Sequence, residues 1–156
     1  MHIIIVLTGA ATMPMIDVYA PTTLFPADAD ERLVDELTHA VLRAEGVAQP
    51  GAFHLDNTAA FIHRLPTTAL GTAATPSAPI VRVQIVTPPG SLNREGQRTI
   101  TREATDIVRA AAGSDVRTWV ILTEAVEGGW GIQGTAFGVE EFTALAKAAA
   151  AAAAGS

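Results

Sequence analysis

The chain has 156 residues and a formal net charge of −6, enough for one compact domain with its own core and too few for two large ones. Nearly half of its residues are apolar, which excludes a disordered chain, and the acidic balance argues against nucleic acid as a general partner. It has no cysteine, so disulfides, thiolate nucleophiles and cysteine-ligated zinc or iron–sulfur sites are excluded, and a cytoplasmic setting fits. No apolar run approaches the ~20 residues needed to span a bilayer, so no membrane partner is expected.

Residues 1–12 form a separate segment, MHIIIVLTGAAT. Its apolar core, Ile3 to Leu7, is shorter than a signal h-region of about 7–15 residues, and no Lys or Arg precedes it. Two readings remain: an extra β-strand, or untranslated leader included by a misplaced start codon. The second is preferred, because Gly9-Ala10 can be encoded by a stretch resembling a ribosome-binding site ahead of Met13.

From Pro14 the order of elements repeats itself. The first unit (residues 14–70) opens with PMIDVYA, where Ile16 and Val18 alternate with Asp17 and Tyr19 as in a half-buried strand. Leu33, Leu37 and Val41 then share one helical face, with Asp28 or Asp30 as N-cap acceptor, up to Gly46. A second strand follows at residues 58–63, with Asn57 as a turn residue before it. The segment from Gly71 to Ala78 is small, polar and proline-bearing, as a surface connection should be.

The second unit (residues 79–138) opens with PIVRVQIV, where Val81, Val83 and Ile85 alternate with Arg82 and Gln84. Ile100, Ala104, Ile107, Val108 and Ala111 form the next helical face, with Ser91 or Asn93 near its start and Gly113 at its end. Residues 118–123 form the last long strand, and the glycines around Trp130 suit a hairpin. The tail, residues 139–156, is alanine-rich and reads as a frayed helix.

A helix that links two strands makes them parallel neighbours by a right-handed crossover. Two such units joined edge to edge give an α/β (α+β) fold: tandem β-α-β units in one four-stranded mixed sheet with both helices on one face. A unit of about 60 residues buries too little surface to stand alone, so residues 13–138 are read as one domain. The bare face of the sheet then needs cover, most simply from oligomerisation.

Specific residues now sharpen this pattern. The run from Val120 through Thr123-Glu124 and Gly128-Gly129-Trp130-Gly131-Ile132 resembles the C-terminal end of 4-oxalocrotonate tautomerase. That family has a strand, a Thr-Glu pair and a glycine-rich hairpin carrying an aromatic residue before Gly-Ile. Met13-Pro14 followed by a hydrophobic strand is similar to the family's Met-Pro start, and Pro79-Ile80 opens the second unit likewise. The fused two-unit length is similar to the larger members, among them malonate semialdehyde decarboxylase, the cis-3-chloroacrylic acid dehalogenases and macrophage migration inhibitory factor.

The resemblance implies a cofactor-free tautomerase in which a free N-terminal proline, Pro14, moves a proton on a small enolisable carboxylic acid. It also implies a homotrimer, and Trp130 from a neighbouring chain making the pocket apolar. The family's arginine after the first strand is missing, and the position of its second arginine holds Trp119. Arg117 lies two residues earlier on the same strand face. Arg117 and Arg82 are the candidate carboxylate anchors, since guanidinium offers a planar pair of donors, and Tyr19 is a candidate hydroxyl donor. The four histidines are too scattered for a metal site. If Thr12 stays attached, the Pro14 nitrogen is an amide without basicity, and the alternative is a non-catalytic trimeric binding or scaffold protein. Decarboxylation and dehalogenation stay open within the enzyme class, because fold alone does not choose among them.

Overall fold

The computed structural model describes residues 12–155, so the two readings of the leader fall almost wholly outside the described residues. Strand β1 (Met15–Pro21) leads through a proline-rich loop to helix α1 (Asp30–Ala44). A short helix α2 (Ala52–Asn57) precedes β2 (Ala59–Leu65), and a 3-10 turn at Thr67–Ala69 begins the connection to the second unit. That unit holds β3 (Ile80–Thr87), α3 (Arg94–Ala112) and β4 (Arg117–Glu124). A small hairpin, β5 (Trp130–Ile132) and β6 (Thr135–Phe137), leads into α4 (Val139–Ala154).

The sheet has the order β2-β1-β3-β4. Within each unit the strands are parallel, and the units join antiparallel between β1 and β3, with Met15 opposite Val86 and Tyr19 opposite Arg82. Alternation decides which side is dry. Ile16, Val18, Val81, Val83 and Ile85 are wholly buried beneath Leu33, Leu37 and Val41 of α1 and Ile100, Ala104 and Val108 of α3. Each such side chain contributes about 1.5–3 kcal/mol on leaving water, so this layer dominates the stability. The two helices approach closely at Gly96, where a Cβ would lie 2.5 Å from the Ala44 carbonyl oxygen.

The helix ends differ in how they are held. Asn93 caps α3 by accepting from Gly96 N at 2.8 Å. The expectation of an Asp28 or Asp30 cap on α1 is overturned: Ala29 is the N-cap, without a side-chain hydrogen bond. Asp30 instead accepts from Arg64 Nη2 at 2.8 Å, and Arg64 also donates to the carbonyls of Thr22, Phe25 and Pro26. The guanidinium, with five donors, clamps the loop and takes the acid with it. At the other end Gly46 adopts φ +93°. Its N–H donates to Arg43 O, while Val47 N–H donates to Leu42 O at 2.8 Å. This pair of bonds is a Schellman turn, and it makes Glu45 the C-cap.

Asn57 is the last residue of α2, not a turn before β2; its amide donates back to Phe53 O at 2.8 Å. In the C-terminal hairpin Gln133 and Gly134 both have positive φ, as a two-residue type I′ turn requires. Helix α4 is anchored at its start, where Glu127 accepts from Val139 N at 2.7 Å and Phe142 is wholly buried. Among the described residues, no helix is long and apolar enough to cross a membrane.

Candidate functional site

The strands of the sheet have two ends, and the residues singled out above divide between them. One end carries the start of β1, the end of β3 and the end of β4. Pro14 lies there, buried, immediately before β1. Met13 is 2% exposed and packs with Phe142, which is itself covered by Trp130, Phe137 and Ile132. The Trp130 and Phe142 rings meet edge to face at 6.5 Å, and those of Phe137 and Phe142 at 5.5 Å. Trp130 thus walls an apolar recess that, in this chain, the Met13 side chain fills. Thr12 is also fully buried.

Tyr19, Arg82 and Arg117 belong to the other half of the sheet. Four residues of β1 separate Met15 from Tyr19, or about 13 Å at ~3.3 Å per residue. On the helix-free face the side chains stack across three strands. Asp17 Oδ1 and His63 Nε2 are 2.7 Å apart, and His63 stacks on Tyr19 with ring centroids at 4.3 Å. The Arg82 guanidinium sits 4.5 Å over the Tyr19 ring and donates to Gln84 at 3.0 Å. Next to it Arg117 lies 4.9 Å over the Trp119 ring. Tyr19, Arg82, Trp119, Leu70 and Ile80 line a cleft of about 260 Å³. Within one protomer Met13, the residue before Pro14, packs with Trp130, while Tyr19, Arg82 and Arg117 stand apart from them.

Two further features were not singled out from the sequence. The first is Glu45, buried at the Pro14 end; its signal was its place in the series Leu33, Leu37, Val41, four residues on from Val41. Burial pushes its carboxyl up from 4.5 to about 8, partly offset by the hydroxyls of Ser91 and Thr12. The second is the recess built by Phe142, which the alanine-rich reading of the tail passed over. Among the described residues, no group of three or more His, Asp or Glu is placed to hold a metal ion.

Two β-α-β units fused edge to edge, each opening on a proline, with a glycine-rich hairpin after the last strand, define the fold. It is the tautomerase-superfamily fold in its fused form. It is similar to that of Pt0534 inactivated by 2-oxo-3-pentynoate, with a TM-score of 0.66 and 16% identity, covering 81% of this chain and 97% of that one. A fused 4-OT wild-type symmetric trimer gives a TM-score of 0.67 and 17% identity over the same shares. A macrophage migration inhibitory factor-like protein from Entamoeba histolytica gives 0.64 and 13%, covering 80% of this chain and 99% of that one. No protein-family model and no curated protein matches the sequence.

Proposed function

We propose that this protein is a cofactor-free tautomerase in the form that begins at Pro14, acting on a small enolisable carboxylic acid. The observation that carries this reading is the placement of Pro14: buried, at the mouth of the central strand, beside an aromatic recess the size of a methionine side chain. A free α-amino group has a pKa of ~7.7–8.0, far below lysine, and apolar walls lower it further. A neutral secondary amine there removes a proton next to a carbonyl and returns it elsewhere, which is keto–enol interconversion.

The open sheet face, where Phe61, Trp119, Ile121 and Met15 remain 38–49% exposed, supports assembly into a homotrimer. A cluster of large apolar side chains on one sheet face calls for a partner surface. Fused relatives of this fold are named as symmetric and asymmetric trimers. In such an assembly a neighbouring protomer is the source of the carboxylate anchor, because Arg82 and Arg117 lie far from Pro14 in their own chain.

The burial of Thr12 and Met13 favours a second reading. A chain that keeps them has an amide at Pro14 and a filled recess, and serves as a non-catalytic binding or scaffold protein. Intact mass separates the two: a mass starting at Pro14 supports the enzyme. Phenylpyruvate ketonisation tests the mechanism, with equal rates for native protein and Pro14→Ala ruling out the amine.

A further inference from the structure

Glu45 occupies a place where the helical stripe calls for an apolar side chain, and it is only 6% exposed. The Schellman turn fixes its backbone at the end of α1, where the helix carbonyls add negative potential and further disfavour an anion. Both carboxyl oxygens are buried without a well-formed hydrogen bond. The hydroxyls beside it belong to Ser91, in the loop after β3, and to Thr12, two residues before Pro14. Ser91 Oγ already donates its proton to Pro88 O at 2.9 Å. Its hydroxyl and that of Thr12 therefore offset only part of the cost of burying the carboxyl.

The neighbouring charges are engaged elsewhere. Arg43 pairs with Glu103 at 3.2 Å, Arg94 donates to Gln97, and Glu124 accepts from Gly90 N. In the chain that keeps Thr12, Glu45 thus faces the Thr12-Met13-Pro14 segment from a buried position that favours its neutral form. A leucine or glutamine at this position would cost the fold less, and groups retained against such a cost cluster at functional sites.

We infer that Glu45 is a catalytic acid of the Pro14 site, a role that rests on the proline-amine reading above. In the chain that begins at Pro14, the substrate takes the room that Thr12 and Met13 otherwise fill. Its apolar 3-substituent lies among Trp130, Ile132, Phe137 and Phe142, where Met13 packs. Its carbonyl oxygen lies against Glu45, where the Thr12 hydroxyl packs. The substrate class is a 2-oxo acid with an aryl or alkyl group on C3. The neutral Pro14 nitrogen takes one C3 proton, and the electrons of that C–H bond form the C2–C3 double bond. The C2=O π electrons take up the Glu45 proton to give the enol hydroxyl. The Pro14 ammonium then returns its proton to the Glu45 carboxylate, leaving no net change in the enzyme.

The test uses protein whose mass shows that it begins at Pro14, with phenylpyruvate as probe. Glu45→Gln should lower kcat on the order of a hundredfold with KM nearly unchanged, and should remove one limb of the pH profile. Glu45→Asp should recover part of the rate and restore that limb. Circular dichroism and trimer mass should match the native protein. If native protein is active and Pro14→Ala is not, a Glu45→Gln variant with the native pH profile overturns the role of Glu45 alone. A protein that keeps Met13, or a Pro14→Ala variant as fast as native, overturns the tautomerase reading and this role with it.

Discussion

Replacing Glu45 by glutamine should make the chain that retains Thr12 more stable, by an amount that depends on pH. The glutamine amide has nearly the shape of the neutral acid, so the packing is kept. The acid's pKa stands at 4.5 in the unfolded chain and about 8 in the folded one. Below pH 4.5 both states hold the proton, and the group makes no difference. Between 4.5 and 8 the unfolded state ionises while the folded state does not, so stability falls as pH rises, at ~1.36 kcal/mol per pH unit. The loss reaches about 3 kcal/mol at pH 7 and levels off near 5 kcal/mol above pH 8, as upper bounds. The glutamine variant loses this dependence. Urea unfolding of both proteins at pH 5, 6, 7 and 8 measures it, with the gap widening at each step. Native and variant curves that run parallel across this range would refute the burial argument.

Other expectations follow from contacts described above. Gly96→Ala places a methyl 2.5 Å from the Ala44 carbonyl. The backbone must yield, so the melting temperature should drop by an amount equal to about 1–3 kcal/mol. Arg64→Ala removes the donor to three loop carbonyls and to Asp30. It should cost about 2–3 kcal/mol and strip amide-exchange protection from residues 22–30, and unchanged protection there would exclude the clamp. The double substitution Phe61→Lys with Ile121→Lys should convert the proposed trimer to monomer in light scattering without loss of helix content. A trimer of native mass would mean that another surface holds the assembly.

The strands and long helices were legible because their periods were clean. Val81, Val83 and Ile85 alternate, and Ile100, Ala104 and Val108 recur on one helical face, each pattern meeting one core. Glycines 46 and 113 ended the helices as expected, with φ +93° and +68°. The short helix α2 was not legible, since it has six residues and buries none of them fully. The capping of α1 was missed for a different reason: Arg64, 34 residues away, decides what Asp30 does, and local rules carry no such information. The candidate site was legible as residue types, not as places. Period two set Tyr19 and Arg82 opposite the core residues of their strands and Arg117 on the face of Trp119, but position along the strand separates them from Pro14. Glu45 escaped notice because a charged residue beside a terminal glycine reads as a solvated helix end.

Gene fusion has a stoichiometric consequence that the sheet makes visible. Pro79 opens the second unit as Pro14 opens the first, yet Ala78 is bonded to its nitrogen in every form of the chain. No processing of the N-terminus can uncover a second amine, so an assembly has at most one free proline amine per polypeptide, half the number that separate half-length units would offer. The cleft near Pro79, lined by Tyr19, Arg82 and Trp119, thereby has no amine of its own and can serve only one carried by another chain.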